Sequence, residues 1–363
     1  MGFLNALSQL GLLVFMFLVG LELNPKLLRG KGHTAVVTSH VSIAAPFFLG
    51  SLLALFLYPR LSDAGVGFTG FALFMGAAMS VTAFPVLARI LTERGLMRTR
   101  VGSVTLACAA VDDATAWCIL AGVVLVVRTG AHGHPLWLTV GGTLAFAAVM
   151  LFGVRHLLAR LETAFLRRGE VTQDMLGAVV LAALASAFVT EWLGIHALFG
   201  AFMLGAVMPK DEAFVRALAH KLEDVTVVLL LPLFFAFTGL RTRIGLVSGW
   251  EMWGCCALIV AVAVAGKFGG SSLAARLTGM SWREAGALGV LMNTRGLMEL
   301  VILNVGLDIG VISPALFAMM VIMALVTTFA TSPLLDRIYP AALVAREKEG
   351  AAEARPEPEP ALV

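Results

Sequence analysis

Two adjacent carboxylates stand in the middle of an apolar stretch. Asp112 and Asp113 lie in VGSVTLACAAVDDATAWCIL, far from either end of the run. An ionised carboxylate in hydrocarbon is expensive unless it is paired or faces water, so two in succession mark a functional or structural centre. Adjacent helical residues point about 100° apart, so one aspartate can face an ion cavity while the other faces a partner. The partner on offer is Lys267, deep in AVAVAGKFGG. Burial penalises the charged form of either group, so such a pair responds to protonation.

A second set of residues could supply neutral oxygen ligands. Ser80-Val81-Thr82-Ala83-Phe84-Pro85 puts two hydroxyls just ahead of a proline. Pro85 has no N–H and disrupts the turn before it, which predicts free carbonyls near Val81 and Thr82. Such carbonyls, with the Ser80 and Thr82 hydroxyls, form an oxygen-rich cradle for a cation. The bland alternative is a tolerated kink with both hydroxyls bonded back to their own helix. Asn293-Thr294-Arg295-Gly296 is a second polar interruption, and Arg295 and Glu299 are spaced to share one helix face and pair. We read Arg295, Glu299, Pro85 and Asn293 as structural or gating groups. His196 is a lone histidine at a span start and reads as a satisfied polar group. Asp174, Glu191 and Asp308 lie near span ends and read as solvated.

The elements that hold these residues are transmembrane helices. Of 363 residues, 59% are hydrophobic and only 13% charged, against about 25% charged in soluble domains. Mean hydropathy is +0.93. The apolar runs are about 17–25 residues long, the length that crosses a bilayer as helix. The alternating pattern of a membrane barrel is absent. The expected class is an all-α, polytopic bundle of about eleven spans, near 5–23, 35–57, 66–90, 100–127, 136–157, 174–192, 195–209, 225–240, 249–270, 284–306 and 313–336. Cys108, Cys118, Cys255 and Cys256 have no metal-ligand spacing and read as small apolar fillers. The N-terminal run lacks a basic n-region and reads as a retained first span.

Loop charge sets an expected orientation. Twenty of the 26 lysines and arginines fall in loops after odd-numbered spans, at the end of the third span or in the C-terminal tail, and only Arg60, Arg128, Arg241 and Arg243 in loops after even-numbered ones. Cytoplasmic loops collect Lys and Arg, so the N-terminus is expected outside and the C-terminus in the cytoplasm. The transmembrane domain is expected over 1–340, with core helices in 35–127 and 249–336. The charged, proline-rich 341–363 reads as a disordered cytoplasmic tail.

The chain also repeats itself in inverted form. FMFLVGLEL in the first span matches FFAFTGLRT in the eighth, with Gly20 on Gly239. About 60 residues after each lies a polar, breaker-containing helix. The copies are seven spans apart, so they insert in opposite directions. Inverted repeats with interrupted helices in matching positions are a signature of secondary transporters, with the site near the midplane.

FLVGLEL, SVTAFPVLARIL, VDDATAW, GIHALFGAFMLG, LPLFFAFTGL, GK and NTRGLMELVILN, in this order, resemble the monovalent cation:proton antiporter family 2, the sodium/hydrogen exchanger domain. The resemblance covers roughly residues 5–336. It implies a homodimer built on a scaffold, and a core whose two broken helices cross near the membrane middle. It implies exchange of Na⁺ or K⁺ for protons by alternating access, with Asp113 as the ion- and proton-carrying carboxylate and Asp112 paired with Lys267. Family members usually carry about two spans before the FLVGLEL helix, where this sequence starts. The expected surroundings are a plasma or inner membrane and its lipid, with no cofactor, no resident metal, no nucleic acid and no enzymatic chemistry. The alternative transporter on this fold is a sodium-coupled symporter of an organic solute, a class without the paired aspartates and lysine. An intramembrane aspartyl protease needs carboxylates from two helices, and the mid-span aspartates here share one.

Overall fold

The computed structural model describes residues 2–22, 33–63, 65–97, 99–128, 136–340 and 343. The expected tail 341–363, Leu343 apart, lies outside the described residues, as do Lys26, Arg29, Lys31 and Arg98. Among the described residues every regular element is helical. The α-helices are α1 Gly2–Glu22, α2 His33–Leu61, α3 Phe68–Ser80, α4 Phe84–Glu93, α5 Arg100–Arg128, α6 Leu136–Ala148, α7 Arg155–Arg168 and α8 Gln173–Trp192. They continue with α9 Ala197–Val207, α10 Glu212–Val225, α11 Leu231–Arg241, α12 Gly249–Val264, α13 Gly270–Leu277, α14 Trp282–Met292, α15 Leu297–Asp308 and α16 Pro314–Ile338. Three joints, Val149–Val154, Thr226–Leu230 and Ala265–Gly269, are π-helical turns that keep one span continuous across two helices.

In hydrocarbon a backbone must satisfy its own hydrogen bonds, and long helices do so. Nine helical segments among the described residues are long and apolar enough to cross a bilayer. The pair α14 and α15, bent by 44° at a four-residue break, makes a tenth. All eleven expected runs fall on helix. The difference is α9, whose 11 residues reach only about 17 Å, yet it carries the chain from the end of α8, where the Ala197 N–H meets Glu191, to the end of α1, where Lys210 meets the Gly20 and Leu21 carbonyls. The eighth run, expected at 225–240, extends back to Glu212 through amphipathic α10, which Asp211 caps.

The helices pack as two groups. One gathers α2, α3, α4, α5, α12, α13, α14, α15 and α16. The other gathers α1 and α6 to α11. Within the second group α1 crosses α9 at very close range. A Cβ on Gly20 would strike the Phe202 carbonyl oxygen, and one on Gly205 would strike that of Phe17. Small residues at such crossings let helix backbones touch in a membrane, where packing rather than water exclusion drives association. Gly239, matched to Gly20 in the repeat, meets open space, so the repeat keeps the residue without the contact. Lys210, between α9 and α10, places its Nζ 2.9 Å from the Gly20 carbonyl, 2.8 Å from Leu21 O and 3.0 Å from Gly205 O. It thereby closes the end of this crossing.

Candidate functional site

The site forms where two helices are interrupted in the first group. α3 stops at Ser80, the chain runs extended through Val81, and α4 starts at Phe84. Pro85 sits in the first turn of α4, where an N–H would have no helical partner and its absence costs nothing. The second interruption runs from Asn293 to Gly296, between α14 and α15. The two breaks touch: the Ala83 N–H donates to the Thr294 carbonyl at 3.1 Å, and a Cβ on Gly296 would press on Val86 and Ala83. The expected pair of broken helices crossing inside the bundle is therefore present.

An interrupted helix leaves unpaired carbonyls at its C-terminal end and the negative end of its dipole. Here cationic side chains fill that role for α3. Arg295 donates to Ala78 O at 3.0 Å and Met79 O at 2.8 Å, and Lys267 donates to Ser80 O. The carbonyls expected to be freed near Val81 and Thr82 are thus only part of the account, since those just before them are taken by Arg295 and Lys267. The Ser80 hydroxyl turns back to Gly76 O, so its carbonyl is the group that faces the site. Thr82 points inward, donating to Asp112 Oδ2 at 2.9 Å, with the Met292 carbonyl of the other broken helix at 3.3 Å.

Asp112 is saturated. Lys267 Nζ lies 2.8 Å from Oδ2, Thr82 Oγ1 donates to the same oxygen, and Ser42 Oγ lies 2.8 Å from both carboxylate oxygens. Lys267 uses its three protons on Asp112, Ser80 O and Ser42 O, the last at 2.9 Å. Both side chains are wholly buried. The lysine projects from the π-helical turn Ala265–Gly269, a widened turn found frequently at functional sites.

Asp113 is the opposite case. Its residue is 4% exposed, yet Oδ1 has no hydrogen-bond partner among the described residues. The main-chain N–H of Phe84, at the positive end of α4, faces the carboxylate. One turn along α5, Trp117 packs against Phe199 and Phe202 of α9, with ring centres 5.8 and 6.1 Å apart. Asp113 and Trp117 are spaced i, i+4, so this stripe of α5 faces the second group of helices. Asp112 faces the interior of the first.

Arg295 and Glu299 pair at 2.7 Å with both side chains wholly buried. Thr328 of α16 brackets the Arg295 backbone, accepting from its N–H at 3.0 Å and donating to its carbonyl at 2.6 Å. Asn293 is buried with Oδ1 unpartnered, as are Arg295 Nε and Glu299 Oε1.

Sequence reasoning passed over Ser42, Thr328 and Trp117. The signal for Ser42 was the run Thr38-Ser39-Ser42, a hydroxyl stripe at helical spacing in an otherwise apolar span. Glu191 and Asp308 are exposed at helix ends as expected, and each also holds an ion pair that the sequence did not show. Glu191 accepts from Arg128 at 3.0 Å and from the Ala197 N–H at 2.8 Å, and Asp308 accepts from Arg241 at 2.6 Å. His196 is buried and caps α9 through the Leu198 N–H. Cys118, expected as a filler, is exposed, while the other three cysteines are buried. Among the described residues no three His, Cys, Asp or Glu gather as a metal-ligand set.

Residues 2–337 match the family profile described as sodium/hydrogen exchanger, transmembrane. The chain is 47% identical over 340 residues to the Na(+)/H(+) antiporter NhaS4 of Synechocystis sp., covering 93% of this chain and 83% of that protein. It is 41% identical to Cation/H(+) antiporter 17 of Arabidopsis thaliana and 36% identical to K(+)/H(+) antiporter 1 of Saccharomyces cerevisiae, each over 93% of this chain. It spans only 41% and 39% of those longer relatives. Among solved structures, the sodium proton antiporter MjNhaP1 of Methanocaldococcus jannaschii is similar in fold. It matches with a TM-score of 0.61 at 15% identity, over 93% of this chain and 84% of that one. With a profile that covers nearly its whole length, this multi-pass membrane chain belongs to the transmembrane sodium/hydrogen exchanger family.

Proposed function

We propose that this chain is a secondary active antiporter that exchanges Na⁺ or K⁺ for protons by alternating access, with Asp113 as the carrying carboxylate. The observation that carries the reading is the unpartnered Oδ1 of a buried Asp113 beside a fully satisfied Asp112. A lone buried carboxylate is tolerated only if it is neutralised, by a proton or by a cation. The two are mutually exclusive on one oxygen, and that competition is exchange. Thr82 and Asp112 stand next to the site as further oxygen ligands. A cation shared with Asp112 would weaken its pair with Lys267 and let the lysine release its own proton. Organic-solute symport needs no such pair of aspartates, and the antiporters among the relatives favour exchange.

The group holding α2 to α5 and α12 to α16 is the moving core in this reading, and the group holding α1 and α6 to α11 is its scaffold and dimer-forming part. The membrane in this reading is a plasma or inner membrane, and the Lys/Arg bias of the loops supports an N-terminus outside and a cytoplasmic C-terminus. The test is cation-driven proton movement in proteoliposomes, followed with a pH-sensitive dye while Na⁺, K⁺ or Li⁺ is added. A response that vanishes in Asp113→Asn supports the assignment and names the cation. Undiminished flux in that variant sinks it.

A further inference from the structure

The two helix groups meet through charge at one end only. Among the described residues, two ion pairs join them: Arg128 of α5 to Glu191 of α8 at 3.0 Å, and Arg241 of α11 to Asp308 of α15 at 2.6 Å. All four residues lie at or near the C-terminal ends of their helices, where even-numbered spans emerge on one face of the membrane. Asn304 adds a neutral bridge. Its Oδ1 accepts from Arg241 at 3.0 Å, and its Nδ2 donates to Thr238 Oγ1 of α11, also at 3.0 Å. His196 lies between, close enough to feel Glu191, Arg128 and Asp308. On the opposite face the ion pairs Arg94–Asp336 and Arg100–Glu284 stay inside the first group. There a cavity of about 240 Å³ opens between the groups, with Val19, Glu22 and Glu223 on one wall and Pro85 and Leu297 on the other.

We infer that Arg128–Glu191 and Arg241–Asp308, braced by Asn304–Thr238, are the gate that closes one face in this conformation and parts when Asp113 is exposed to that side. Their chemistry suits a gate. The side chains are partly exposed, 14% and 47% for the first pair and 22% and 29% for the second, so water takes over their hydrogen bonds as they separate. The wholly buried Asp112–Lys267 pair has no such substitute. Each gate pair also takes one member from each group, so any rocking of one group against the other must break both.

The inference rests on the antiport reading for its role, and its first test is independent of transport. Phe199→Cys, in a background without the native cysteines, places a reporter just below the gate. Labelling by a membrane-impermeant maleimide from the Arg128 and Arg241 face is measured with the gate intact and with Glu191→Gln and Asp308→Asn together. The expected result is a several-fold faster reaction in the weakened gate. An unchanged rate in a folded variant overturns the gate, whether or not the chain exchanges ions. Faster labelling in a protein that exchanges no cation leaves the gate standing and removes the antiport reading. Should the weakened variant not fold, Thr238→Cys with Asn304→Cys decides. An oxidative cross-link there is expected to stop exchange and reductant to restore it, whereas exchange at full rate through a complete cross-link overturns the gate.

Discussion

Asp112 and Asp113 are one residue apart and occupy different worlds. On the Asp112 side of α5, the carboxylate meets a lysine and two hydroxyls, the lysine meets two more carbonyls, and no charge is left over. On the Asp113 side, the carboxylate faces only the backbone at the start of α4, and an oxygen remains open at the boundary between two groups of helices. The first arrangement is expensive to disturb, and a ligand can share it only by loosening its pair with Lys267. The second is poorly satisfied and can be improved by a small cation or a proton. Stability and function are thus divided between two neighbours by the 100° turn of a helix.

That division can be broken by experiment, beginning with the largest effect. Asp113→Asn is expected to reduce exchange to background in the dye assay while leaving thermal unfolding in micelles unchanged or raised, since an unpaired buried acid is removed. A loss of stability equal to that of an Asp112 variant would erase the distinction. Lys267→Ala leaves Asp112 as an unpaired buried charge, and such truncations cost about 3–5 kcal/mol. Adding Asp112→Asn should recover part of that cost in denaturant titrations, and failure to do so would mean that the pair is not the unit described here. Arg295→Lys keeps a charge but loses the fork that spans Glu299, Ala78 O and Met79 O. The expected cost is about 1.5–3 kcal/mol, read in the same titration. Glu191→Gln, on the partly exposed pair with Arg128, is expected to cost under about 1 kcal/mol.

Lys210 sharpens the contrast with Lys267 through pH. Burial without a carboxylate pulls its amine down from 10.5 to about 8. Between those values the unfolded chain holds a proton that the folded chain has released, so this group makes stability rise with pH across that window. Lys210→Met should flatten the rise in unfolding midpoint measured from pH 8 to 10.5, and an unaltered slope would refute the assignment.

The helices and the breaks were legible because hydrocarbon enforces them. Runs such as Phe68–Glu93 admit no other structure, and Pro85 and Gly296 mark where they fail. Asp112, Asp113, Lys267 and the Arg295–Glu299 spacing stood out because ionisable residues are rare in such runs. What the sequence hid was contact across distance. Ser42 belongs to a hydroxyl stripe in its span, but nothing there says that it lies beside Asp112. Glu191 and Asp308 sit at helix ends, where solvation is the usual fate, and only the juxtaposition of the two groups turns them into bridges. The length of α9 was missed because its apolar run continues past the helix end at Val207 into Met208.

The π-helical turn beneath Lys267 has a consequence for how this chain tolerates length changes. Such a turn holds one residue more than an α-turn needs. Deleting one residue of Ala265–Gly269 other than Lys267 would let the ladder close as plain α-helix with both flanks keeping their faces, while the residues left within the turn shift by about 100°. The lysine could then keep its register with α12 or with α13, not both, and in one of the two cases its amine swings away from Asp112. A single lost codon, with every charged residue still encoded, would be the smallest inherited change able to uncouple the pair.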